Sequence, residues 1–319
     1  MNKGLLYRLL LVIGLIFVLT GCGSNEKNVQ NVGMLLDGSI NDQVWGSKGY
    51  AGLLEIGNTY KVDVFYKENI KEEQEIMNAV EEFVQDGVNL IFGHSSIYGK
   101  YFVDIAGSYP NVHFVYFNGG YTSNNVTSLN FDSHSMGFFG GMLAGRMTTS
   151  DHVAIIAAHE WQPEIEGFYE GVKYENPSAE INMNFINDWN DTETAEEIYD
   201  QITQTGVDVV YPTGDAFSKE IIEKAVSDDL FAIGYVSDQS GFGGGHVLTS
   251  TIQHVDKLYR LAAELFNEGE LKGTIQTYDF QDDVITLGPY SSAVPEDYQE
   301  YLTKAVERYK ETEFLPNEQ

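Results

Sequence analysis

Short β-branched and aromatic runs alternate with amphipathic helical stretches along most of this chain, and no other feature restricts its fold so strongly. Residues 32–36, 62–66, 88–92, 112–117, 153–157, 181–186, 207–211 and 231–236 read as strands. Between them, residues 72–85, 136–147, 192–205 and 218–227 carry helical periodicity. Strands separated by helices of this length form βαβ units and parallel sheets. The chain has 319 residues, more than one core usually holds, so two domains are expected. A faint internal repeat supports two similar lobes. FVQDGVNLIFG (83–93) and ITQTGVDVVYPTG (202–214) share one grammar: a helix ends, Gly87 or Gly206 supplies a left-handed cap, and a β-branched strand follows.

The first 22 residues, MNKGLLYRLLLVIGLIFVLTGC, stand apart. Lys3 and Arg8 precede an apolar run over 9–19. That run is shorter than the roughly 20 residues of a membrane-spanning helix and fits the core of a secretory signal, about 7–15 residues. A plain secretory signal and an uncleaved anchor are the competing readings. The closing Leu19-Thr20-Gly21-Cys22 resembles the lipobox of bacterial lipoproteins, in which the cysteine takes a diacylglycerol and becomes the new N-terminus. Cys22 is the only cysteine, so the domain beyond it has no disulfide and no Cys-based metal site or nucleophile. The expectation is a signal peptide at 1–21, lipidation of Cys22, a small polar tether over 22–31, and attachment to the outer face of the cell membrane. Two acyl chains suffice for stable anchoring.

The formal net charge is −30. Loss of Lys3 and Arg8 with the signal would take it two charges further and leave Arg146, Arg260 and Arg308 as the remaining arginines. A surface this acidic repels nucleic acid and anionic lipid, so direct nucleic-acid binding is not expected. A highly phosphorylated ligand is also disfavoured.

In open parallel sheets ligands bind beyond the carboxyl ends of the strands. The segments just after the strands contain Asp37-Gly38-Ser39, Gly93-His94-Ser95-Ser96, Asn118-Gly119-Gly120, Ala158-His159-Glu160-Trp161, Asp188-Trp189-Asn190-Asp191, Thr213-Gly214-Asp215 and Ser237-Asp238-Gln239. Small residues, hydrogen-bonding groups and aromatics recur there, a lining suited to a neutral polar ligand with a flat ring. Asn41 or Asp42 is a good N-cap for the helix that runs toward Ile56. Trp45 then lies in the first helical turn. It either packs under the sheet with Leu53 and Ile56 or faces the cleft, and spacing alone leaves both open.

VGMLLDGSINDQVWGSKGYAGL (32–53) resembles the opening signature of the BMP (basic membrane protein) family of lipoproteins. GFFGGMLAGRMT (137–148), GFYEGVKYENP (167–177), GVDVVYPTGD (206–215), AIGYVSDQS (232–240) and LTSTIQHVDK (248–257) match further blocks in order, so the resemblance covers nearly all of the chain beyond the signal. It implies an α/β fold of the type I periplasmic-binding-protein kind, with two lobes, each a parallel sheet flanked by helices, and three hinge crossovers. These are expected near 127–132, 237–245 and 273–279. The N-terminal lobe would comprise 32–130 and 240–275, and the C-terminal lobe 131–239 and 276–319. The best-understood family members bind purine nucleosides for ABC importers, which implies a nucleoside-like ligand and a permease partner. Within the family the chain is similar to a lipoprotein described as a positive regulator of competence, which implies the alternative of a membrane signalling partner.

The family's ligand residues carry over unevenly. Asp37 matches the acid after the first strand, and Trp45 stands where the family has a stacking Phe. Asn118 replaces an acid, Val236 replaces the first acid of a block from which Asp238 and Gln239 remain, and Gln253 replaces a lysine. A hydrogen bond involving a charged group contributes about 1.5–3 kcal/mol, so these losses would redirect or abolish nucleoside binding. Phe217 and Tyr211 are candidates for a second stacking partner. Asp37, Asn41, Trp45, Asn118, Phe217 and Asp238 are the candidate ligand residues. No cofactor, metal site or catalytic residue is expected. His159-Glu160 lacks the second histidine of a zinc-protease motif, there is no Walker A loop or Gly-x-Ser-x-Gly elbow, and Gly241 to Gly245 reads as a hinge loop. Gly137, Gly140, Gly141 and Gly145 sit at helical spacing and imply a closely packed helix. Glu81-Glu82 and Glu196-Glu197 read as solvated helix faces.

Overall fold

The computed structural model describes residues 28–41 and 44–319. Its elements run β1 (Val32–Leu35), α1 (Trp45–Tyr60), β2 (Val64–Lys67), α2 (Glu73–Gln85), β3 (Leu90–Gly93), α3 (Tyr98–Ala106), β4 (His113–Phe117), β5 (Val126–Phe131), α4 (Ser133–Met147), β6 (His152–Ala157) and α5 (Pro163–Glu175). They continue with β7 (Glu180–Phe185), α6 (Thr192–Ile202), β8 (Val209–Thr213), α7 (Phe217–Ser227), β9 (Phe231–Val236), β10 (Val247–Gln253), α8 (Val255–Glu268), β11 (Ile275–Tyr278), β12 (Ile285–Leu287) and α9 (Glu296–Thr312). The signal, Cys22 and Asp42 lie outside the described residues.

Two six-stranded sheets form, in the orders β11-β5-β4-β3-β1-β2 and β12-β10-β9-β8-β6-β7. The first is parallel throughout, and the second is parallel except for its edge strand β12. Strands covered on both faces by helices read as unbroken apolar runs, and β1, β3 and β4 are buried along their whole length. The edge strands β2, β7 and β11 keep partly exposed faces. The two-lobe α/β fold with parallel sheets is therefore as expected. Gly87 (φ 77°) and Gly206 (φ 88°) both adopt the left-handed conformation that the repeat predicts.

The crossovers differ from expectation in two of three places. The chain first leaves the first sheet between β5 and α4, as expected, and β5 itself occupies most of the segment that was read as a linker. It returns between β10 and α8, not at 237–245. Residues 240–242 form a 3-10 turn, and the loop that follows joins β9 to β10 inside the second sheet. The hydroxyl-rich run Leu248 to Gln253 concealed this strand. It is wholly buried because Thr249 Oγ1 donates to Gly288 O (2.9 Å) and Thr251 Oγ1 to Gly234 O (2.9 Å), which removes the penalty of burying the hydroxyls. The third crossing lies between β11 and β12. Residues 247–253 thus belong to the second sheet and 276–278 to the first. The tether also ends earlier than residue 31. Val29 is buried and its N–H donates to Asn267 Oδ1 (2.8 Å), while Asn31 Nδ2 donates to Asp86 O (2.8 Å).

Helices cover the sheets by close approach. In the first lobe α8 lies on α1, with Tyr259 stacked on Phe92 (4.1 Å) and Phe117 (5.3 Å). In the second, α4 lies against α5. The turn after α4 is fixed by Asp208, whose carboxylate accepts from Thr148 Oγ1 (2.6 Å), Thr149 N (2.7 Å), Thr149 Oγ1 (2.9 Å) and Ser150 N (2.9 Å). Burial pushes this carboxyl up, but the hydrogen bonds outweigh it and hold the group below the usual carboxylate range. Its contribution is therefore present above the ordinary carboxylate pKa and is lost as pH falls below it. Asp208→Ala is expected to cost about 2 kcal/mol, the scale of charge-assisted hydrogen bonds. Urea unfolding at pH 7 measures it, and Asp208→Asn should lose less.

Candidate functional site

The carboxyl ends of both sheets border one cavity of about 550 Å³, lined by residues of both lobes. On the first lobe, β1 delivers Asp37 and β3 delivers His94 to its wall. Trp45, at the first position of α1, is half-buried and also lines it. The cap of α1 is Val44, which makes no side-chain cap hydrogen bond, so the N-cap role read for Asn41 is not borne out.

His94 fixes Trp45 from below. The two rings stack at 4.7 Å and 18°, and Phe117 and Phe131 meet the indole edge-on. The indole N–H donates to His94 O (3.0 Å). His94 Nε2 lies 2.8 Å from Trp45 O, and Nδ1 lies 3.0 Å from the Tyr259 hydroxyl. A carbonyl oxygen only accepts, so Nε2 carries the proton and Nδ1 accepts from Tyr259. Burial lowers the imidazole pKa to about 4, and His94 is neutral at physiological pH. Tyr259 belongs to α8, so the return crossover helps to orient the cavity's tryptophan.

The second lobe presents an aromatic cluster. His159 and Trp161 stack at 5.1 Å and 13°, and Trp189 meets both edge-on. Trp161 is 63% exposed, a surface with no packing role that accounts for it. Below the cluster, Glu164 is almost wholly buried, and its Oε1 accepts from Gln162 Nε2 (2.8 Å) and the Tyr235 hydroxyl (3.0 Å). Gln162 is itself held by Thr213 O (3.1 Å) and by the His159 N–H (2.7 Å). Burial raises the Glu164 carboxyl above its usual range, against the pull of its hydrogen bonds.

Two crossovers meet at the cavity. Gln253, the last residue of β10, donates from Nε2 to Oγ of Ser133, the first residue of α4 (2.9 Å). Both line the cavity, as does Asn118, which adopts a left-handed φ of 55° while its Oδ1 accepts from Phe131 N (3.1 Å). Val236 ends β9 with φ 59°, and Ser237 N donates to Tyr235 O (2.6 Å) across it. A β-branched residue in that conformation is strained by about 1–3 kcal/mol. The strain lies next to the cavity residue Tyr235.

Of the six candidate ligand residues, Asp37, Trp45 and Asn118 line the cavity together. Asn41 is exposed in the loop before α1, where its N–H meets Ser39 Oγ (3.2 Å). Asp238 is exposed and its Oδ1 accepts from Ser240 N (3.0 Å), which turns it into the β9–β10 loop. Phe217 is sealed in the second lobe's core against Gly214, Ile221 and Ile222. Tyr211 is also buried, with its hydroxyl 2.9 Å from Thr251 Oγ1. The aromatics that the second lobe does present are Trp161 and Trp189. Both stood in the segments after strands, where position relative to the sheet was the signal. Among the described residues no group of three or more His, Cys, Asp or Glu side chains could hold a metal ion, and no helix is long and apolar enough to cross a membrane.

A family model, Bmp, described as ABC transporter substrate-binding protein PnrA-like, matches residues 29–319, and the chain belongs to this family. The chain is 44% identical over 311 residues to the transcriptional activator protein Med of Bacillus subtilis (strain 168), covering 97% of this chain and 98% of that relative. It is 22% identical over 305 residues to a purine-binding protein of Brucella abortus (strain 2308), covering 94% and 86%. The crystal structure of a transcriptional activator of the comK gene from Bacillus halodurans superposes with a TM-score of 0.83 at 43% identity, covering 89% of this chain and 99% of that one. An ABC transporter solute-binding protein from Conexibacter woesei DSM 14684 shares the fold, with a TM-score of 0.73 at 19% identity, covering 90% and 99%. These relatives are named as binding proteins or regulators, and none is named for catalysis.

Proposed function

We propose that this Bmp-family protein is a lipid-anchored receptor on the outer face of the cell membrane that closes its two lobes on a small, ring-bearing, nucleoside-like ligand. One observation carries the reading: Trp45 on one lobe and Trp161 with Trp189 on the other line the same cavity. The volume, about 550 Å³, falls in the ordinary range for small-molecule sites. A ring between the lobes would stack on an indole held rigid by His94, and the polar groups of Asp37 and Asn118 would take its hydroxyl or amide edges. The signal sequence and Cys22 supply the anchor, and an ABC permease is the partner that a substrate-binding protein would serve.

Stacking contributes about 1–3 kcal/mol per base. Trp45→Ala is therefore expected to weaken binding at least about five-fold, and Trp45→Phe to stay within about three-fold. Calorimetry with a nucleoside panel checks both. If no nucleoside gives heat or a thermal shift, the ligand is lost from this reading and the fold is not.

A second reading is favoured by the three positions where the family resemblance implies charge. Here Gln253 binds Ser133, Asn118 binds the backbone of Phe131, and Val236 is a buried apolar residue. These side chains serve the protein's own structure. With the 44% identity to a transcriptional activator, this supports a regulatory lipoprotein with altered or lost ligand binding, acting through a membrane partner. Crosslinking in cells separates the readings: recovery of an ABC permease alone would exclude the regulatory one.

A further inference from the structure

The ring-receptor reading leaves the charge of the cavity unexplained. Glu164 lines the wall and is 3% exposed. Its hydrogen-bond partners, its own backbone N–H and the side chains of Gln162 and Tyr235, are neutral donors. No basic side chain among the described residues pairs with it. A buried carboxylate without a counterion is costly, and neutral hydrogen bonds from its own backbone N–H, Gln162 and Tyr235 offset only part of that cost. The raised pKa of the Glu164 carboxyl expresses the same deficit.

The rest of the lining has the same sign. Asp37, Asp188 and Asp215 border the cavity, and among the described residues Lys71 is the one lysine or arginine that lines it. All three tryptophans of the chain also border it. An indole face carries partial negative charge and attracts cations, most strongly where water is excluded. The net charge of the chain, −30, adds a longer-range potential that concentrates cations.

Each ligand class meets this cavity differently. A phosphorylated ligand is repelled by four carboxyl groups against one lysine. A neutral ring stacks, but lobe closure then strips water from Glu164 without replacing it. A ring that carries a positive charge stacks on the indoles and also supplies the missing counterion.

We propose that the cleft selects a cationic ring ligand, an N-alkylated or aminated heterocycle, with Glu164 as its counterion and the tryptophans of both lobes as its cage. The proposal rests on the ring-receptor reading above and names the ligand's charge, which that reading leaves open. Glu164 acts here as a specificity-determining residue, since a neutral replacement would still leave the indole surfaces in place.

The experiment uses the full-length protein in detergent micelles. All three tryptophans line the cavity, so intrinsic fluorescence reports occupancy, and thermal shift supplies a second readout. The probes share one ring system and differ in charge: N1-methyladenosine, positive at neutral pH; adenosine, neutral; and adenosine monophosphate, anionic. N1-methyladenosine is expected to bind at least about ten-fold tighter than adenosine, with the monophosphate weakest. Glu164→Gln should reduce the cation's advantage to less than about three-fold, and added salt should weaken the cation more than adenosine. Circular dichroism confirms that the variant is folded; if it is not, Asp215→Asn carries the comparison and should narrow the gap by a smaller factor. Adenosine binding as tightly as its methylated cation overturns the proposal and leaves the ring-receptor reading intact. A cation advantage unchanged in the folded Glu164→Gln variant overturns the role of Glu164. Silence from both adenosine and its cation, with silence from the wider nucleoside panel, overturns the ring-receptor reading and this proposal with it.

Discussion

Gly141→Ala is expected to prevent folding, while Gly140→Ala, one residue away on the same helix, is expected to stabilise the protein. The difference lies in which side of α4 each residue occupies. A methyl group on Gly141 would overlap the carbonyl oxygen of Phe168 in α5, and one on Gly171 of α5 would overlap the carbonyl oxygen of Phe138 in α4. Gly137 and Gly167 face backbone atoms of the partner helix in the same way. Backbone cannot rotate aside as a side chain does, so the helices would have to separate along their whole contact. Overpacking typically costs about 1–3 kcal/mol when side chains can adjust. Here the cost should exceed about 4 kcal/mol, a large share of the 5–15 kcal/mol that holds a typical protein together. At Gly140 the nearest atoms are side-chain methyls, Thr251 Cγ2 at 3.4 Å and Ile233 Cγ2 at 3.6 Å, which is ordinary contact. Alanine there gains about 1 kcal/mol of helix propensity. Urea unfolding decides the matter: the midpoint should rise for Gly140→Ala at constant m-value, and Gly141→Ala and Gly171→Ala should show little or no folded baseline. A folded Gly141→Ala protein of near-normal stability would show that the helices are not in backbone contact.

Acid should destabilise the protein through His94 well before the bulk of its carboxylates titrate. The folded pKa is about 4, lowered by burial from 6.5. Between these values the unfolded chain binds a proton that the folded protein refuses. Stability is therefore full above pH 6.5 and is lost as pH falls toward 4, roughly 3 kcal/mol in all at about 1.36 kcal/mol per unit. Glu164 works in the opposite direction, because its raised pKa makes the folded state bind its proton first and so gain stability as pH falls. The measurement is thus a comparison. His94→Gln keeps a hydrogen-bond donor and acceptor without the titration, and its stability between pH 7 and 4 should fall roughly 3 kcal/mol less than that of the parent. Parallel pH profiles for the two proteins would mean that His94 takes a proton without unfolding its surroundings.

Residues that repeat a physical requirement were legible in the sequence. Eight strands and four helices announced themselves by periodicity, Gly87 and Gly206 marked the left-handed caps, and the glycines of α4 marked a close helix contact. The strand β10 was not legible because its serine and threonine hydroxyls look like a loop until their acceptors, Gly234 O and Gly288 O, are brought beside them by other strands. Its loss misplaced the second crossover. At the cavity, strand ends identified the segments but not the side chains. Phe217 has the right chemistry at a strand end, yet the turn of α7 sends it into the core. Trp161, which a count of apolar residues would bury, is exposed. Which way a ring points at the start of a helix depends on the turn that precedes it, and no period in the sequence encodes that turn.

The return of the chain to each sheet also dictates an order of events. The first sheet receives its last strand at residues 275–278 and the second at 285–287, although β1 begins at Val32. Neither half is complete until the ribosome has made almost the entire polypeptide. A truncation at the chain's midpoint would leave the first sheet without its edge strand β11 and the second without its inner strand β6. The export proposed above would gain from this arrangement, since the earliest segments of the chain have nothing finished to fold into while the remainder is still being threaded through.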